Sequence, residues 1–281
     1  MVFIKVVDKY LNFLTISQRC FKMKKSTVFF GEFLGTLILT LFGCGSVAVS
    51  VLFAAHTGLF QVAMLWGFGV ALAIYTTRGL SGAHLNPAVS TALFLLKKIT
   101  MLRLLNDWIA QFTGAFVAGW LLLFLFNPSI VNYEAKAQII RGEPESIQTA
   151  KIFGEFYPNP SYDAEVSLPL AMFAEAFGTF LLVGGILLLT DSRYSKKLSD
   201  DYIPLCIGLL VCSIICLIAP LTQAGLNPAR DFSPRLVASL AGWGETAYPS
   251  DTGGFFWVYI VAPLIGAAVA TLISLVFRSD P

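Results

Sequence analysis

Charge is scarce in this chain. Asp, Glu, Lys and Arg make up 13% of its 281 residues, about half the roughly 25% usual in a soluble domain. That excludes a soluble enzyme and a disordered tail protein. The net charge of +2 is too small to attract a polyanion, so no nucleic-acid partner is expected. Histidine is limited to His56 and His84, which leaves little for a His-based metal cluster or an acid–base pair. No enzymatic activity, cofactor or metal is expected. The five cysteines (Cys20, Cys44, Cys206, Cys212, Cys216) form no CxxC, and four of them fall in apolar stretches, where a thiol behaves as a small apolar side chain. The cationic N-terminus also lacks a long apolar run ending at a small-residue cleavage site, so no removed signal peptide is expected.

Apolar surface is what the chain has in excess: 56% hydrophobic residues, 24 Phe and a mean hydropathy of +0.74. It is gathered into six windows, 27–53, 62–80, 104–126, 168–190, 202–220 and 254–277, which contain only Glu32, Arg78, Asp107 and Glu175 as charged residues. Each window is close to the roughly 20 residues that cross a hydrocarbon core of about 30 Å. The sequence predicts an integral membrane protein with six spanning helices.

Lys and Arg in the flanks set the orientation. With the N-terminus inside, the inner segments hold Lys5, Lys9, Arg19, Lys22, Lys24, Lys25, Lys97, Lys98, Arg103, Arg193, Lys196, Lys197 and Arg278. The outer segments hold Lys136, Arg141, Lys151, Arg230 and Arg235. This bias predicts a multi-pass protein of the cell membrane with both termini in the cytoplasm.

The chain repeats itself. GEFLGT at 31–36 returns as AEAFGT at 174–179, and LNPA at 85–88 returns as LNPA at 226–229; QFTGA at 111–115 has a looser echo in PLIGA at 263–267. Each half holds three spans, an odd number, so the second half must enter from the opposite side. Inverted halves with a site at their junction are an established membrane architecture.

Each Asn-Pro-Ala opens an apolar helix too short to span. Asn is a favoured N-cap, and Pro suits the first helical position because its missing N–H has no partner there. From Asn86 to Leu96 is eleven residues, roughly 16 Å or half a bilayer, and Lys97 and Lys98 follow at the negative end of the dipole. The sequence therefore predicts two re-entrant half-helices meeting N-terminus to N-terminus. Non-helical backbone at that depth must be buried in protein or line a wet cavity. The carbonyls of Gly82, Ala83, His84, Leu85, Gln223, Ala224, Gly225 and Leu226 are expected to line a path, with the Asn86 and Asn227 amides aimed at its centre.

SGAHLNPAVS at 81–90 and GLNPARDFSPR at 225–235 resemble the signature pair of the aquaporin (major intrinsic protein) family, and the likeness runs from about Phe30 to Phe277. Asp231 after Arg230, with Arg235, resembles the glycerol-conducting branch. RGEPES at 141–146, YPNP at 157–160 and LAGWG at 240–244 look like bacterial glycerol facilitators. The resemblance implies an all-α membrane fold of six transmembrane helices and two half-helices in a right-handed bundle, one pore per chain and a homotetramer in a lipid bilayer. It implies a passive channel for glycerol, water and other small uncharged solutes, with urea among the candidates. The expected organisation is a cytoplasmic N-terminal extension at 1–25 and a channel domain at 26–281. Within the latter, repeat one covers about 27–126, an outer loop 127–167, and repeat two about 168–277.

By the same resemblance Arg230 and Trp66 belong to an outer constriction, and Pro87, Ala88, Pro228 and Ala229 complete the two motifs. Glu32 and Glu175, at matched repeat positions, would brace the re-entrant loops. The chain departs from the facilitator pattern at two positions: Ala224 replaces the second filter aromatic, and Ile215 stands where a small Gly is usual. The implied ring of Trp66, Ile215, Ala224 and Arg230 is similar to that of nodulin-type plant aquaporins. A coupled secondary transporter would need a titrating group in its path, for which only Glu32, Asp107 and Glu175 are available. An intramembrane hydrolase would need a nucleophile with a base partner, and the isolated histidines argue against one.

Overall fold

The computed structural model describes residues 24–56, 58–191, 198–249 and 254–277. The N-terminal extension expected from the sequence lies almost wholly outside the described residues, as do Arg193, Lys196, Lys197 and Arg278 among the inner cations. No strand occurs among the described residues. Among the described residues six helices are long and apolar enough to cross a membrane: α1 Lys25–Phe53, α2 Leu59–Ser81, α4 Met101–Lys136, α5 Leu168–Thr190, α6 Ile203–Thr222 and α8 Gly254–Val276. The half-length helices α3 Pro87–Leu95 and α7 Pro228–Ala238 stand between them, and a single helical turn at Ile147–Ala150 follows α4.

The inverted repeat is visible in the packing. α1 packs against α2 and α4; its counterpart α5 packs against α6 and α8. The halves meet along α2 and α6. Each short helix also crosses over: α3 rests on α8 of the other half, and α7 rests on α4. Neither half can therefore bury its short helix alone.

The loose echo of QFTGA and PLIGA has a physical cause. Gly114 on α4 leaves no room for a Cβ against the Phe33 carbonyl, and Gly266 on α8 does the same against the Ala176 carbonyl. Phe33 and Ala176 are themselves equivalent positions of the two repeats. Small residues at these crossings let the backbones approach, which is the packing mode available where lipid tails remove the hydrophobic drive between helices.

One expectation needs correction. The α4 helix does not end near Phe126 but continues through Pro128 to Lys136, so the first ten residues of the expected outer loop are helical. Its 36 residues make about 54 Å, well beyond a hydrocarbon core of about 30 Å. The extension is held by Glu134, which is buried and accepts from Thr149 Oγ1 at 2.8 Å and Arg141 Nη2 at 2.8 Å. The half-helix α3 keeps its expected bounds, with nine helical residues between the N-cap Asn86 and the C-cap Leu96.

The RGEPES and LAGWG motifs fold against one another. The Arg141 guanidinium stacks 4.0 Å from the Trp243 ring centroid, and Trp243 Nε1 donates to Thr149 Oγ1 at 3.0 Å. RGEPES and LAGWG thus belong to one cluster above the bundle.

Candidate functional site

The two half-helices start at the same level in the bundle because their N-caps bind each other's loops. Asn86 Oδ1 accepts from Ala88 N at 2.8 Å, and Asn227 Oδ1 accepts from Ala229 N at 3.1 Å, each satisfying an orphan donor of its own helix. The other end of each side chain reaches across the repeat boundary. Asn86 Nδ2 donates to the Leu226 carbonyl at 2.9 Å, and Asn227 Nδ2 donates to the Leu85 carbonyl at 2.8 Å. The Leu226 and Leu85 carbonyls each accept one asparagine amide and keep a second lone pair.

The loops leading into these caps are strained. Ala83, Leu85, Gln223, Ala224 and Leu226 all have positive φ between 54° and 65°, a region that side chains other than Gly seldom occupy. Buried carboxylates hold them there. Glu32 Oε1 accepts from His84 N at 3.0 Å, and its Oε2 accepts from Leu85 N at 2.7 Å and Gln111 Nε2 at 2.8 Å. Glu175 repeats the arrangement: Oε1 accepts from Gly225 N at 2.9 Å and Thr222 Oγ1 at 2.6 Å, and Oε2 from Leu226 N at 2.8 Å. Gln111 and Thr222 were not singled out in the sequence; each adds a side-chain donor to one carboxylate. Both carboxylates are fully buried, and every oxygen has a donor, the condition under which such groups are tolerated.

Arg230, in the first turn of α7, lies with its guanidinium carbon 4.0 Å from the Trp66 ring centroid. Trp66 and Ile215 line an open cavity of about 200 Å³ together with Glu155, Gln223, His56 and Lys151. Ala224 is buried in the same apolar cluster as Trp66 and Ile215. Arg230 thus stands over Trp66, which lines the same cavity as Ile215.

One member of this site was invisible in the sequence. Glu155, from the loop after α4, forms an ion pair with Arg230 Nη1. Its backbone is fixed on both sides, with Glu155 N donating to Asp231 Oδ1 at 2.8 Å and its carbonyl accepting from Arg235 Nη2. Burial pushes the Glu155 carboxyl up to about 7, against the opposing pull of the Arg230 guanidinium. Arg235 is fully buried, paired with Asp231 at 2.7 Å and surrounded by the rings of Phe156, Phe255 and Tyr259. Asp231 and Arg235 thus act as the clamp that carries the Glu155 loop to Arg230. A single acid between Phe153 and Phe156 carries no motif that announces this role.

On the opposite side of the junction His84 is not the isolated residue expected from the sequence: its Nδ1 lies 3.0 Å from Asp107 Oδ2.

A six-span inverted repeat with two half-helices joined through their N-caps defines a multi-pass membrane protein of the channel type. The chain belongs to the major intrinsic protein family, whose pattern matches residues 19–274. It is 42% identical over 241 residues to the glycerol uptake facilitator protein of Haemophilus influenzae, covering 84% of this chain and 88% of that one. It is 40% identical over 246 residues to the propanediol uptake facilitator of Citrobacter freundii, with 86% and 88% covered. The X-ray structure of the aquaglyceroporin from Plasmodium falciparum superposes with a TM-score of 0.77 at 28% identity, covering 89% of this chain and 95% of that one.

Proposed function

We propose that the protein is a passive channel for glycerol and other small uncharged solutes, water included, and that it excludes ions and protons. The observation that carries this reading is the reciprocal bond between Asn86 and Asn227 and the opposite loops. It sets two helix N-termini face to face. Each N-terminus carries roughly half a positive charge, so a cation or hydronium meets a barrier that a neutral hydroxyl does not. Hydroxyls exchange water for the carbonyls of residues 82–85 and 223–226 and for the remaining asparagine N–H groups. Similarity to glycerol and propanediol facilitators supports the substrate class.

In this reading Trp66, Ile215, Ala224 and Arg230 form the selectivity filter. Trp66 packs the carbon face of a polyol, and Arg230 donates to its hydroxyls and repels cations. Glu32 and Glu175 keep the strained loops in place. The positive flank of Lys97, Lys98 and Arg103 lies in the cytoplasm, with both termini on that side. The exposed apolar rows on the spanning helices, among them Phe124, Leu125 and Leu272, face lipid or neighbouring copies in a homotetramer.

The Ala224 and Ile215 substitutions favour a second, broader selectivity in which urea also passes. Swelling of proteoliposomes in glycerol, urea, water and a longer polyol tests both. Passage of glycerol ahead of the longer polyol supports the channel; a membrane no more permeable than protein-free liposomes refutes it.

A further inference from the structure

The three side chains at the inner end of the path come from separate elements. Glu32 is on α1, Asp107 on α4, and His84 in the loop that opens α3. One ligand atom of each lies within 4.8 Å of the others. Asp107 Oδ1 is taken by Arg103 Nε at 2.6 Å. Its Oδ2 has no hydrogen-bond partner although Asp107 is fully buried, and it points at His84 Nδ1, 3.0 Å away. Glu32 Oε1 carries one donor, His84 N, so a lone pair remains for a further bond.

An imidazole nitrogen with two carboxylates is a ligand set for a borderline divalent cation such as Zn²⁺, whereas Mg²⁺ and Ca²⁺ prefer oxygen alone. Tetrahedral Zn²⁺ bonds of about 2.0–2.1 Å place ligand atoms roughly 3.3 Å apart. The His84–Asp107 pair is already near that separation, and the Glu32 carboxylate needs to close by about 1.5 Å at most. The local charge also suits a cation: two carboxylates stand against one guanidinium, Arg103.

We propose that His84, Asp107 and Glu32 form a regulatory Zn²⁺ site on the Lys97–Lys98 side of the bundle, and that its occupation slows solute passage. Ligation ties the loop bearing the Gly82, Ala83 and His84 carbonyls to α4 and places a cation beside them. Arg103 is the built-in competitor, because it holds the other oxygen of Asp107. The slowing of flux rests on the channel reading above; the binding does not.

The test is a calorimetric titration of the purified full-length channel with Zn²⁺, and separately with Mg²⁺. One Zn²⁺ per chain is expected, with no comparable Mg²⁺ binding. Asp107→Asn should abolish Zn²⁺ binding and leave zinc-free glycerol flux as it was. Arg103→Gln should tighten binding by about tenfold, the effect of removing one adjacent positive charge. Should Asp107→Asn fail to yield a folded channel, Arg103→Gln decides: unchanged or weaker affinity overturns the site. Zn²⁺ binding that survives Asp107→Asn, or is matched by Mg²⁺, overturns it as well. In proteoliposomes, Zn²⁺ should lower glycerol flux several-fold in the unaltered protein and not in Asp107→Asn. Binding with unchanged flux removes the regulatory role, while absence of flux in zinc-free protein speaks against the channel and leaves the binding result standing.

Discussion

The Arg230 guanidinium lies 4.0 Å from the Trp66 ring centroid and at the same time pairs with the Glu155 carboxylate. A stacked cation contributes roughly 0.5–2 kcal/mol depending on how far it is desolvated, and the ion pair compensates for burying the charge. The result is an arginine fixed on two sides at the mouth of the proposed filter. Its position is set by an aromatic face from one half of the chain and by a carboxylate from the connecting loop.

Arg230→Val removes both the charge and the width that the stacked guanidinium fills. Neutral solutes are expected to keep passing, while cation or proton leakage rises. The readout is current across channel-bearing bilayers alongside glycerol swelling. Unchanged selectivity and rate would take Arg230 out of the filter.

Glu155 is expected to give the proposed filter a pH dependence. Burial raises its carboxyl to about 7, with Arg230 pulling the other way. Below that pH the carboxyl takes a proton and the Arg230 charge loses its counter-ion. Cation exclusion is therefore expected to be tighter at pH 6 than at pH 8, and Glu155→Gln should behave at both pH values like the low-pH form. The stability sign runs the same way. A carboxyl whose folded pKa lies above its unfolded value of about 4.3 binds its proton more tightly when folded, so this group adds stability as pH falls from 8 toward 5. A pH profile unaltered by Glu155→Gln would dissociate it from Glu155.

Much of this architecture is legible in the sequence because it depends on local features. Hydropathy places the span ends within a few residues except at the end of α4. In the two repeated Asn-Pro-Ala motifs the Asn cap and the Pro at the first helical position start a helix, whereas Asn127-Pro128 lies inside α4. The hidden parts depend on contacts distant in sequence. After Phe126 the hydropathy falls, yet α4 continues because Arg141 and Thr149 hold Glu134. Glu155 reads as a solvated loop acid until the bonds from Asp231 and Arg235 turn it inward. Asp107 reads as an acid near a helix end, and only the strained loop brings His84 to it.

Glu175→Gln tests the bracing of the second loop. An amide can accept on only one atom, so at least one of Thr222 Oγ1, Gly225 N and Leu226 N loses its acceptor. A hydrogen bond to a charged group is worth about 1.5–3 kcal/mol, and a buried donor left unpaired adds to the loss. The thermal midpoint of the detergent-solubilised channel should fall accordingly. A midpoint that does not move would mean that the loop is held by other contacts.

Ile215 and Ala224 separate this chain from the facilitators it resembles. Ala224 has too little surface to act as a second wall, and Ile215 packs without a flat face. Discrimination by one or two methylene-sized contacts is about 1–3 kcal/mol, so selectivity among polyols should be graded. Ile215→Gly with Ala224→Phe should sharpen the preference for glycerol over urea and a longer polyol. Identical solute rankings before and after would show that these two positions do not set selectivity.

The most direct measurement of the central claim records solute flux and ionic current from the same reconstituted protein. Glycerol entry into proteoliposomes should rise linearly with its gradient, with no accompanying current and no dependence on membrane potential. Saturable uptake that follows an ion gradient, or proton conductance comparable with the glycerol flux, would contradict a passive pore built on the Asn86–Asn227 junction.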